Sequence, residues 1–144
     1  MGGVRLFVAD AESWDELTDG ARPAVRLSAP DLAQARRLRT RIDADTAVIL
    51  DVTVAVAADY RSARRGLEVH RGLEVRRGLE VAGAAPTVRY VGTPDGLAGL
   101  IADIGSAGVA DGVTLLPAAA GQDVRALGVD VLRRLRLRSA ARAS

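Results

Sequence analysis

The chain has 144 residues, a formal charge of +2 and an apolar content of 49%, enough for one globular domain that buries roughly 70% of its unfolded surface. Cysteine is absent and histidine occurs once, at His70, which excludes disulfides, thiolate chemistry and histidine-cluster metal sites. All 20 basic residues are arginine, which keeps the pI near 9.9, yet the acids nearly balance them and aromatics are 3%, so a nucleic-acid interface built on a basic face with stacking rings is disfavoured.

Met1-Gly2-Gly3-Val4-Arg5 runs straight into an apolar segment. It lacks the charged and long apolar regions of a signal peptide, and no 18-residue apolar run follows anywhere. The expected location is cytoplasmic. Val4 to Ala9 reads as a strand. Ser13 and Glu16 have capping-box spacing and predict a short helix over Trp14 to Leu17, ended by Asp19-Gly20. Pro23 to Leu27 reads as a second strand. Ser28 and Asp31 flank the start of a helix with Pro30 in its first turn; Leu32, Ala35, Leu38 and Ile42 mark its core side, and Arg36, Arg37, Arg39 and Arg41 its solvated side. Thr46 to Ala57 is the clearest strand, almost wholly apolar, as a parallel strand covered on both faces should be. Asp51 lies in its middle and is the one acid whose burial would set it apart.

A helix from Asp59 continues the rhythm. Residues 65–82 then carry three near-identical hexads, Arg65-Gly66-Leu67-Glu68-Val69-His70, Arg71-Gly72-Leu73-Glu74-Val75-Arg76 and Arg77-Gly78-Leu79-Glu80-Val81-Ala82. Three internal glycines cost a helix about 2–3 kcal/mol relative to alanine, and three hexads are too few for a solenoid. A surface helix, loose or broken after Arg65, fits best. Arg76 and Ala82 replace His70 in its sister hexads, which argues against a catalytic base.

Gly83 to Pro86 reads as a linker and Val88 to Val91 as a short strand. Thr93 is placed to cap a helix that opens with Pro94. Leu97, Leu100, Ile101 and Ile104 form its apolar stripe, and Gly105 and Gly108 offer stops. Val113 to Leu116 is a covered strand ended by Pro117. After Ala118 to Gly121 comes a last helix, with Val124, Leu127, Val131 and Leu135 on its core side and Arg133, Arg134, Arg136, Arg138 and Arg142 at its negative end.

The alternation of strands and helices implies a parallel α/β sheet. Gly92-Thr93-Pro94, Ala107-Gly108-Val109-Ala110-Asp111-Gly112 and the strand ending in Pro117 together resemble the C-terminal end of the luciferase-like flavin-dependent monooxygenases. The resemblance implies a partial (β/α)8 TIM-barrel-like fold, a single domain over residues 1–144 similar to the C-terminal half of such a barrel, since a full one takes about 250 residues. Val4 to Ala9 then falls near the fifth strand. The family likeness implies FMN or a deazaflavin as cofactor. Its phosphate would meet Ala9-Asp10-Ala11-Glu12-Ser13, with Asp10, Ala11 and Ser13 as the cofactor-binding residues, although two carboxylates, Asp10 and Glu12, oppose an anion there. The pairs Asp10–Glu12 and Asp43–Asp45 are read as loop and capping acids, and no residue is assigned a catalytic role. The first functional expectation is a truncated or degenerate flavin-dependent oxidoreductase that needs a partner. The alternative is a non-catalytic α/β module that oligomerises through open sheet edges, either as a homo-oligomer or with a chain supplying the missing barrel half.

Overall fold

Ten apolar-rich residues, Ala47–Val56, form the central strand, and every other strand but two pairs with it directly. The computed structural model describes residues 4–10, 12–66, 87–118 and 122–143. Its elements are β1 (Arg5–Ala9), β2 (Trp14–Glu16), β3 (Ala24–Leu27), α1 (Leu32–Arg39), β4 (Ala47–Val56), α2 (helical over 60–66), β5 (Val88–Gly92), α3 (Pro94–Ser106), β6 (Gly112–Pro117) and α4 (Val124–Ala143). The sheet runs β2-β1-β6-β4-β3, with β5 also on β4. β3 lies along Ala47 to Leu50 and β5 along Val52 to Val56, so the two share one edge of β4. All pairings are parallel except β1 with β2. Curled parallel strands alternating with helices make the fold α/β and partial-barrel-like, as the sequence implies.

Two expectations are corrected. β1 pairs in parallel with β6, Leu6 opposite Val113 and Val8 opposite Leu115. β6 has β4 as its other neighbour, and β5 lies on the far edge of β4, so the strands do not follow one another around the sheet in chain order as they would in a closed (β/α)8 barrel. Trp14 to Leu17 is not a helix. The Asp10 side chain accepts from the N–H groups of Glu12 and Ser13 and from the Ser13 hydroxyl, folding the chain back into a hairpin that pairs Ala9 with Trp14. Glu16 reaches Arg5 instead of Ser13, at 2.7 and 2.9 Å, so the capping box never forms.

The helix signals elsewhere hold. Asp31 caps α1 by accepting from Gln34 N–H, and Asp59 caps α2 by accepting from Ser62 N–H. Thr93 caps α3 with Pro94 in its first turn. Gly108, at φ 71°, ends α3: Val109 N–H bonds to Ile104 C=O and Gly108 N–H to Gly105 C=O, the six-to-one and five-to-two pair that a left-handed residue permits. Of the hexads only Arg65 and Gly66 are described, at the end of α2; the remainder, the 83–86 linker and residues 119–121 lie outside the described residues.

Alternation along the strands gives the sheet two different faces. Leu6, Val8, Val48, Leu50, Val52, Val54, Val113 and Leu115 point to the helices and pack with Leu97, Ile101, Ile104 and Val131. Phe7, Ala47 and Ile49 point the other way, to the inner face, and pack with Trp14 and Ala24.

At the N-terminal ends of the strands, Asp111 joins three elements. Its carboxylate accepts from Val48 N–H and from Arg39, both at 2.8 Å, and Arg39 also reaches Gly108 C=O. Arg39, expected on the solvated face of α1, is thus turned inward. Burial pushes the Asp111 carboxyl up, but the Val48 N–H and the Arg39 guanidinium together outweigh it and hold it below its ordinary 3.8. Arg5 likewise holds Glu16 below its ordinary 4.5. Groups depressed in the folded state contribute stability above their unfolded pKa and lose it as pH falls through the folded value. Stability is therefore expected to be level with respect to these two groups above about pH 4.5 and to fall progressively below it. Denaturant midpoints across pH 2–6 should show the fall in the wild type and a shallower one in Asp111→Asn and Glu16→Gln; an unchanged slope in both variants would remove this account.

Candidate functional site

Parallel strands direct their C-terminal ends the same way, and in barrel and open α/β folds the chemistry sits at that end. Here that end holds a pocket of about 240 Å³ between β1, β6 and the start of α4, floored by Ala9 and Pro117 and rimmed by Asp10, Ser13, Gln122 and Arg125. A wider groove of about 1140 Å³ lies at the opposite end, against Arg5, Asp111 and the last turns of α3 and α4, where residues ordinarily serve stability.

Each polar group of the mouth pocket already has a local task. The exposed Asp10 carboxylate is held below its ordinary value by the Glu12 N–H first, then by the Ser13 hydroxyl and N–H. Ser13 is thereby turned toward Asp10. Ala11 lies outside the described residues. Asp123 caps α4 by accepting from Ala126 N–H at 3.0 Å. Arg125 is bound to Asp15 at 2.7 Å. Gln122 accepts from Val56 N–H at 2.9 Å and so ties the end of β4 to the segment after β6.

The geometry of Asp10 and Ser13 does not fit a cofactor phosphate between them. The helix whose N-terminus would have met the anion is a strand, and the turn's N–H groups point at a carboxylate the chain itself supplies. A phosphate would have to displace Asp10 from them and remain beside it. Asp43 behaves in the same way, accepting from Asp45 N–H at 3.2 Å, so both carboxylate pairs noted in the sequence contain turn-forming acids.

The inner face carries a second cluster. Phe7, Thr114 and Asp51 stand at one height across β1, β6 and β4. Asp51 is 5% exposed and receives Arg26 through two bonds of 3.2 Å and the Ser28 hydroxyl at 2.8 Å. Trp14 stacks on Phe7 with ring centroids 4.5 Å apart, donates its indole N–H to Thr114 Oγ1 at 2.9 Å, and has the Arg26 guanidinium over its ring at 5.7 Å. The buried carboxylate is thus paired and hydrogen-bonded, as its burial requires. Sequence reasoning singles out Asp51 but misses Trp14, Arg26, Ser28 and Thr114. Arg26 was findable: it alternates with Val25 and Leu27 in the neighbouring strand, and a buried aspartate needs a cation.

Among the described residues no group of three or more acidic or histidine side chains is placed to hold a metal ion, and no helix is long and apolar enough to cross a membrane. No protein-family model and no curated protein sequence matches the chain. Among solved structures it is similar to EDTA monooxygenase (EmoA) from Chelativorans sp. BNC1, with a TM-score of 0.60 at 11% identity. The likeness is one of fold. It covers 80% of this chain and 39% of that one, so this chain corresponds to well under half of the monooxygenase.

Proposed function

We propose that the chain is a shortened relative of the luciferase-like flavin-dependent monooxygenases, and that any oxidoreductase activity needs barrel strands supplied by a second chain. The parallel pairing of β1 with β6 carries this reading. It joins β1, β6 and β4 into one curled parallel sheet, as a partial barrel requires, and among the described residues five strands run parallel where a closed barrel has eight. Support comes from two directions: the Gly92-Thr93-Pro94 and Asp111-Gly112 motifs resemble that family, and the similar solved structure is a monooxygenase. FMN or a deazaflavin is the proposed cofactor of the assembled protein. Because Asp10 fills its own turn, the chain alone is expected to leave FMN fluorescence unquenched at millimolar protein or ligand. Purified under native conditions with its partner, the protein should carry flavin absorbance. A colourless assembly that takes up neither FMN nor a deazaflavin would overturn the proposal.

A second reading is favoured by the same mouth pocket: a non-catalytic α/β module that kept the barrel's packing and lost its cofactor site. Asp10 and Asp123, both engaged in holding backbone, favour it. That reading expects no flavin in any assembly.

A further inference from the structure

We propose that Trp14 is a plug for the inner face of the sheet: it stands where the absent barrel strands would place side chains, and it keeps the chain alone from associating through that face. The interior of a closed barrel is filled by layers of side chains from alternate strands. Among the described residues five parallel strands stand where a closed barrel has eight, and helices pack on the other face, yet the inner face is not bare. Phe7 is 4% exposed, and Ile49 and Thr114 are fully buried. The β1–β2 hairpin lies along the edge of β1 away from β6, and Trp14 reaches from it over Phe7 to Thr114, with Arg26 linking its ring to Asp51.

Three different contacts fix the indole: the stack on Phe7, the hydrogen bond to Thr114, and Arg26 over the ring. Arg26 is itself held by Asp51, so the cover is tied to β1, β6, β4 and β3 together. The other ties of this three-residue edge strand, Glu16 to Arg5 and Asp15 to Arg125, lie outside the cluster that covers Phe7. Without the indole, Phe7, Ile49 and Ala47 would form an exposed apolar patch of the kind that drives association. A partner that completes the barrel must therefore first displace Trp14. The inference rests on the reading above only in treating those strands as absent, and its test involves no flavin.

Trp14 is the protein's one tryptophan, so its fluorescence reports on the plug. The full chain should sediment as a 15.0 kDa monomer, leave the dye ANS dark, and resist acrylamide quenching. Trp14→Ala, with its far-UV circular dichroism retained, should dimerise or aggregate and raise ANS emission several-fold, and millimolar indole should reverse both. Thr114→Val keeps the side chain's shape and removes only the indole's acceptor; its tryptophan emission should shift to the red and its quenching should rise at least twofold. A folded Trp14→Ala that stays monomeric and dark to ANS overturns the proposal, as does a wild type that already associates. Where Trp14→Ala does not fold, Thr114→Val decides: unchanged emission and quenching overturn it.

Discussion

Gly112→Ala is expected to cost about 3 kcal/mol, at the upper end of ordinary overpacking, and to lower the melting temperature by roughly 10 °C. A Cβ at Gly112 would collide with the carbonyl oxygen of Arg5 and stand 2.9 Å from its Cβ. Arg5 and Gly112 are direct partners in the β1–β6 ladder, so neither backbone can yield without opening the seam. Gly108→Ala, which meets empty space but inherits a φ of 71°, should cost less, about 1 kcal/mol. Thermal melts of the two variants side by side give the comparison. Equal losses, or a larger loss at Gly108, would show that the β1–β6 contact is looser than described.

The second large effect is an asymmetry within one ion pair. Arg26→Met should cost about 3 kcal/mol, because it leaves a buried carboxylate with only the Ser28 hydroxyl. Asp51→Asn should cost about 1 kcal/mol, because the surviving arginine can turn to water. The exposures set the sign: the Arg26 side chain is 37% accessible and that of Asp51 8%. Urea denaturation of the two single variants and the double variant measures both losses and their coupling. A larger loss for Asp51→Asn would mean that Arg26 contributes chiefly through Trp14, and that the carboxylate is better solvated than its burial indicates.

The long apolar run of β4, the Thr93-Pro94 cap, the Gly108 stop and the helical stripe of α3 were legible because each is local: a few adjacent residues settle the backbone. The hairpin was not. Ser13 and Glu16 have the spacing of a cap, and two contacts defeat it: Asp10, three residues back, takes the turn's N–H groups, and Arg5, eleven residues away, takes Glu16. The place of β1 in the sheet was equally hidden, since chain order says nothing about which strand lies beside the last. At the mouth pocket the sequence pointed to an opposition between Asp10 and an anion. It could not show that the carboxylate satisfies the turn by itself. The cluster on the inner face was half visible, through Asp51 alone, because its other members come from four further strands and, at Ser28, from just past the end of one of them. Asp111 is instructive in another way. It belongs to the motif that carries the family resemblance, yet it ties backbone at the N-terminal ends of the strands, so the motif reports a packing solution and not a reaction.

The seam between β1 and β6 also bears on how the protein is made. Trp14 and Thr114, joined by a hydrogen bond, are 100 residues apart. Synthesis runs at about 5–20 residues per second, so an emerging β1 waits several seconds on the ribosome with only its hairpin for company. β1 leaves the exit tunnel long before the strand that secures it, and contacts of such long sequence separation form slowly. During that interval Phe7 and Val8 are natural prey for chaperones, and a slowed ribosome downstream of β4 would lengthen their exposure.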